Sequence, residues 1–472
     1  MMVPDGFWGY GRITAGLNHT DNHPPLYFWV LHAWVWLVGL HLWTGPLLNL
    51  ILAVTTGIFV FVLGRRVIGN ARYAALAAVI WACSYPVVVT SRMARHYDVF
   101  ALFAVLFVLV SLRLADRNTR LRVGDTIALA VLTAACFLTH YEFVAFAAGT
   151  AVLFALSLWR NRRRLLTVLG AMAAGVLLAI ALNPGFLQSF TSQRAQAHGG
   201  TLRLFVQRVD SVRLALQSFF HYTVPGPEAG FTMHGTAHSG KYVCLATFAV
   251  LLGLGVAVLL PGVRSRLLRR LRTVRRETWV FLAFLGVAAA TTLLPYLMFQ
   301  VPAFATGGRY LAILWPLLAL AVMLAFKALG RAGVAMAVLL TLWIVVPAAY
   351  LVAVRAPAGV QLEPFPTNAR VLVVNTVARG RLLPVIWRVP DDVAVYADAP
   401  DSLLSKPDAW LPRLLPGSCY ASVSAPLKSV PNWRAPLTLL RTTRELVDDG
   451  MDIWWAKGRL WEVLRVLPSA GT

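Results

Sequence analysis

Apolar residues fall in long blocks separated by short polar breaks. The blocks cover 25–43, 46–63, 73–90, 98–113, 126–139, 142–158, 165–183, 242–261, 279–298, 310–326 and 333–353. Most match the 17–25 residues that carry a helix across a bilayer. Blocks 126–139 and 142–158 are short for two spans and jointly too long for one, and we read them as two helices. The pattern predicts an all-α polytopic membrane protein of about ten transmembrane helices.

Arginines fill alternate connections. Arg65, Arg66 and Arg72 lie in one; Arg113, Arg117, Arg120 and Arg122 in another; Arg160, Arg162, Arg163 and Arg164 in a third. Seven arginines lie between Arg264 and Arg276, and Lys327 and Arg331 mark a fifth connection. The positive-inside rule puts all five on the cytoplasmic side. The connections 91–97, 140–141, 184–241 and 299–309 then face outside, with everything after 353. Block 25–43 would both start and end outside, so it is expected to lie along the outer interface or to dip in and return, the alternative being an ordinary span with a topology exception elsewhere. Its Tyr27, Trp29, Trp34, Trp36 and Trp43 rings and its His32 and His41 suit that depth. The chain would also begin outside, and a first span is expected to be absent from this sequence.

Beyond 353 the pattern changes. Pro357, Pro364 and Pro366 read as a linker. The runs 370–377, 392–397 and 419–423 alternate or cluster β-formers and read as strands. Apolar-periodic stretches, 460–467 among them, lie between and after. Alternating strand and helix signals predict a small α/β domain outside the membrane. The expected organisation is an outer loop with an interfacial helix (1–45), a transmembrane core (46–353), a linker (354–368) and an extracytoplasmic domain (369–472).

Composition agrees with a membrane chain: 58% hydrophobic and 13% charged, more apolar surface than a soluble domain of this length hides. The net charge of +23 lies in short loops between apolar blocks, which argues against nucleic acid. Four cysteines show no metal-ligand or framework spacing.

The polar residues with possible chemistry collect on the expected outer face. "TDNHPPLYFW" (20–29) puts Asp21 and His23 before two prolines that suit a helix start. "SRMARHYDVFALF" (91–103) sets Arg92, Arg95, His96, Tyr97 and Asp98 at the mouth of a span. Arginines there oppose the orientation preference, and a guanidinium fork suits phosphate oxygens. "THYEF" (139–143) places His140, Tyr141 and Glu142 between two spans, a costly position unless they face a cavity or partner. "ATGGRYLAILWPLLAL" (305–320) adds Arg309 and Tyr310 after two glycines, with Pro316 expected to kink the helix. The loop 184–241 reads as a substrate-facing loop. Its His234 and His238 have metal-compatible spacing, but Gly235 and Gly240 argue loop, so no metal is assigned.

This set suits a bound lipid phosphate with a group to transfer. A carboxylate would take a proton from the acceptor and arginines would steady the leaving phosphate. A transporter or flippase is the alternative, disfavoured by the absence of a repeat and of charged sites near the bilayer midplane. An inactive scaffold of the same fold is another.

The stretches "DNHPPLYFWVLHAWVWLVG" (21–39), "SRMARHYDVFALF", "THYEF" and "GGRYLAILWP", in this order, resemble the GT-C glycosyltransferases. The nearest branch uses lipid-linked sugars and includes protein mannosyltransferases and the aminoarabinose transferase of lipid A. The resemblance spans residues 12 to about 326. It implies an inverting enzyme of the cell membrane that takes a sugar from a polyprenyl-phosphate donor on the outer face, as in protein glycosylation. The acceptor could be protein, lipid or glycan; no cofactor is assigned, and a divalent cation is compatible. Arg95 and Arg309 match the family's basic positions, Asp21 and His23 match its HPP loop, and Arg95, Arg309, His23 and Tyr310 are the candidates to hold the donor phosphate. Arg92, Tyr97, His140 and Glu142 are substrate-cavity candidates. The family carries an Asp-Glu pair after its first span. This sequence shows Asp5 followed by Gly6 instead, which leaves Asp5 and Asp21 as candidate bases.

Overall fold

A computed structural model gives the architecture. It describes residues 9–20, 23–39, 43–91, 95–116, 119–185, 219, 275–298 and 311–355, with five strand segments beyond them. Two compact units divide the chain, one helical and one containing the sheet.

The described helices are α1 (Tyr10–Thr20), α2 (Leu26–Val38), α3 (Thr44–Ile68), α4 (Ala71–Cys83), α5 (Tyr85–Thr90) and α6 (Tyr97–Ala115). They continue with α7 (Val123–Phe137), α8 (Phe143–Leu158), α9 (Arg162–Leu182), α10 (Arg276–Met298), α11 (Leu314–Ala328) and α12 (Arg331–Arg355). Three of them, α3, α6 and α9, are long and apolar enough to cross a membrane. Helix α6 is the centre of the unit: 72% of its most apolar stretch is buried, against 28% in α9. It packs against α3, α5, α7, α8, α10 and α11. Its Phe107 meets Phe143 of α8 edge-on at 5.1 Å, and Phe137 of α7 meets the same ring at 5.3 Å. Such pairs add about 0.5–1.5 kcal/mol each beyond area burial.

Several expected blocks take a different shape. Block 73–90 is two helices, because Ser84 is extended (ψ 147°) and Pro86 cannot continue α4. Proline in a helix interior lacks the N–H and strikes the carbonyl four residues back. Pro316 does not kink a helix. Helix α11 begins at Leu314, which puts the proline in the first turn, where no N–H partner is needed. Blocks 126–139 and 142–158 are separate helices, broken at 138–142. Block 25–43 shortens to α2, 13 residues. That is about 20 Å, short of a hydrocarbon core of about 30 Å. Helix α1 has no counterpart in the apolar pattern. Its Ile13 and Leu17 join Tyr27, Phe28, Leu31 and Val35 of α2 in one buried cluster. Block 242–261 and most of loop 184–241 lie outside the described residues.

One end of the helical unit is closed by cations on carbonyls. Arg164 is buried and donates to the carbonyls of Leu114 (2.9 Å), Thr119 (2.7 Å) and Arg113 (3.3 Å), capping the end of α6. Thr278 donates to Val67 O and Lys327 to Ile68 O at the end of α3. Arg66 pairs with Glu277 at 2.9 Å. Helix ends leave such carbonyls without intrahelical partners. Gly69 ends α3 at φ 67°, a left-handed position that favours glycine, and Asn70 caps α4 by accepting from the Arg72 and Tyr73 amides. At Gly175, a methyl would strike the Ala130 carbonyl oxygen, so α9 lies close on α7.

The second unit contains a five-stranded sheet, β1 (Ala369–Asn375), β2 (Ala394–Asp398), β3 (Cys419–Val423), β4 (Leu437–Arg441) and β5 (Glu462–Val466), in the order β2-β1-β3-β5-β4. Strand β1 pairs in parallel with β2 and β3; β5 pairs antiparallel with β3 and β4. The first three strands fall on the runs read as strands. Within the stretch 460–467, Glu462–Val466 is strand rather than helix. Val463 and Val466 are β-branched, and pairing on both sides outweighs its apolar period. Parallel pairs need crossover connections, and those chain segments lie outside the described residues.

Candidate functional site

The site lies at the other end of the helical unit, where three polar segments meet. The amide of Leu26, just after the two prolines, donates to Leu138 O at 2.9 Å. That bond ties the segment 23–26 to the break between α7 and α8. Asn49 of α3 fixes the third segment: its Nδ2 donates to Thr90 O (3.3 Å) and Arg95 O (3.2 Å). Thr90 in turn donates to Asp98 Oδ1 at 3.1 Å.

These bonds bring three imidazoles into a column. The His23 and His96 rings are 4.9 Å apart, and His96 and His140 are 5.0 Å apart. The His140 ring stacks on Phe100 at 4.9 Å, and Tyr97 flanks His96 at 4.5 Å. His140 Nδ1 accepts from the Glu142 amide at 3.2 Å, so its proton sits on Nε2. Burial, then the proximity of His23, pushes its pKa down to about 3, so the ring is neutral. The Glu142 carboxylate at 3.9 Å therefore faces a neutral ring rather than an ion-pair partner. Burial pushes Glu142 up to about 8. The 27% of its side chain that water reaches moderates that rise.

Asp98 sits at the head of α6, buried. Among the described residues its Oδ2 has no hydrogen-bond partner. A small cavity lies beside it, about 10 Å³, lined by Trp81, Thr90, Tyr97, Asp98, Ala312 and Trp315 among others. Phe219 stacks on Trp315 at 5.0 Å and is buried. Tyr27 of α2 lies within electrostatic reach of Asp98 and Arg95. Among the described residues no group of three His, Cys, Asp or Glu is arranged to hold a metal ion.

Of the residues singled out in the sequence, the structure brings together His23, Arg95, Tyr97, His140 and Glu142. Asp5, Asp21, Arg92, Arg309 and Tyr310 lie outside the described residues. The sequence reading quoted His96 and Asp98 without assigning them a role, and it passed over Asn49, Thr90 and Phe100. A buried acid in the first turn of an apolar helix was a readable signal for Asp98. A lone amide inside an apolar helix was the signal for Asn49.

Residues 22–185 match the family model described as dolichyl-phosphate-mannose-protein mannosyltransferase. That range holds all three converging segments. The chain also aligns with the crystal structure of ArnT from Cupriavidus metallidurans bound to undecaprenyl phosphate. The TM-score is 0.50 at 14% identity, over 98% of this chain and 94% of ArnT. The chain has the GT-C fold of ArnT. The apo state of ArnT aligns with a TM-score of 0.49 at 14% identity, over 98% and 93% of the two chains. No curated protein matches the sequence. The resemblance to GT-C glycosyltransferases read from the motifs is supported by the family model and by the fold.

Proposed function

We propose that the protein is a membrane glycosyltransferase using a polyprenyl-phosphate-linked sugar. The observation that carries this is the convergence of the segments at 23–26, 95–98 and 138–142 at one end of the helical unit, all inside the family-matched range. ArnT, whose fold the chain has, was crystallised with undecaprenyl phosphate.

In this reading Arg95, Arg309, His23 and Tyr310 hold the donor phosphate. The acceptor's oxygen or nitrogen attacks the anomeric carbon from the face opposite the phosphate. The new bond forms at that carbon as the bond to the phosphate oxygen breaks, so the configuration inverts. The acceptor's proton goes to a carboxylate, Asp21 or Asp5, and polyprenyl phosphate leaves with the electron pair. Arg92, Tyr97, His140 and Glu142 line the path of sugar and acceptor. The reaction runs on the outer face of the cell membrane. Helix α2 lies along that face, and an α/β domain beyond residue 368 stands outside the membrane.

The test is transfer of labelled sugar from polyprenyl phosphate in vesicles containing the full chain. Arg95→Ala and Arg309→Ala are each expected to cut transfer at least about a hundredfold, as removal of a transition-state charge partner does. Normal transfer by both variants would end the phosphate-site assignment.

A further inference from the structure

The turn between α8 and α9, at the end far from the site, carries a surface that the chemistry above does not use. Arg160, Arg162 and Arg163 are all exposed, and among the described residues none has an ion-pair partner. The nearby acids are taken: Asp125 pairs with Arg113 at 3.1 Å, and Asp116 accepts from Thr119 at 2.7 Å. Arg162 and Arg163, in the first turn of α9 with no acid there, oppose the helix dipole, and Arg160 precedes the helix. They do nothing for the helix. Arg164 alone serves the fold, through its three carbonyls.

The surroundings say what the free three face. Trp159 is exposed, with the Arg160 guanidinium carbon 5.2 Å from its ring centre. One turn into each helix the exposed residues become apolar, Leu156 on α8 and Leu166 on α9. An apolar band topped by an indole and then by free guanidinium groups follows a bilayer from acyl chain to headgroup. A soluble anion or an acidic protein would match the arginines but not the band beneath them.

We propose that the α8–α9 turn is a docking surface for the phosphate headgroups of anionic phospholipids. Two headgroup oxygens can engage one guanidinium fork, and the acyl chains lie along Leu156 and Leu166. The surface is independent of the transfer reaction and holds whatever the donor proves to be.

Native mass spectrometry of the full chain, released from nanodiscs of phosphatidylcholine with phosphatidylglycerol, reads the lipid retained. The combined variant R160Q/R162Q/R163Q is expected to retain at least about fivefold less phosphatidylglycerol, the weight of a single basic residue at an anionic surface. Lysine at all three positions keeps most of the retention and serves as the check on folding. A matched variant, R65Q/R72Q/R331Q, removes the same charge from other exposed positions and leaves retention unchanged. Three results would overturn the proposal: undiminished retention in the first variant, equal loss in the matched one, or release of all bound lipid by millimolar inorganic phosphate.

Discussion

At one end of the helical unit Arg164 sets its guanidinium against three carbonyls, Lys327 caps α3, and Arg66 meets Glu277. At the other end Asp98 leaves one carboxylate oxygen without a partner among the described residues, and Glu142 faces a neutral imidazole. Both ends bury polar groups at similar cost. Among the described residues, only the first pairs these charged groups fully. The contrast distinguishes polar groups paired within the fold from the polar groups that the proposed reaction would use.

The largest expected effect lies at the structural end. Arg164→Met removes three charge-assisted bonds and leaves the α6 carbonyls buried, so stability should fall by about 3 kcal/mol or more in a detergent unfolding titration. A loss no larger than that of an exposed arginine would erase the distinction between the ends. At the site end, Asp98→Asn keeps the Thr90 bond through its carbonyl oxygen and removes the ionisable carboxyl. Its stability should stay within about 1 kcal/mol of the parent or rise, while sugar transfer falls.

A smaller effect sharpens the site end through pH. The Glu142 carboxyl is raised in the folded state, from 4.5 to about 8. Between those values the unfolded chain has lost the proton and the folded chain keeps it, so stability falls as pH rises through the window. Glu142→Gln should be flat there, and the parent should lose about 1–2 kcal/mol relative to it, given the accessible part of the side chain. His140 makes the smallest signal. Its ring should show no protonation from pH 8 down to 5 by nitrogen NMR, with the proton on Nε2 throughout.

Much of this was legible in the chain. Apolar blocks located most of the described helices because a span must be apolar along its whole length. Strands β1, β2 and β3 were legible from β-branched runs. Strand β5 was not, since a short apolar run reads alike in helix and strand, and only its partners decide. Helix α1 was hidden because two glycines dilute its apolar face to Ile13 and Leu17. For the site, His23, Arg95, Tyr97, His140 and Glu142 stood out as polar groups beside apolar blocks. Their meeting depends on Leu26 bonding to Leu138 and on Asn49 reaching two carbonyls across helices, contacts that no local pattern encodes.

The most direct test of the central claim is photolabelling of the full chain with a photoreactive polyprenyl phosphate, in excess phosphatidylglycerol to occupy general anionic-lipid surfaces. Digestion and mass spectrometry then locate the label. The account expects it in peptides containing 23–29, 95–100 and 138–143, and expects Arg95→Ala to lose it. Label confined to 113–125 and 159–166, at the arginine-rich end, would contradict the assignment of the site.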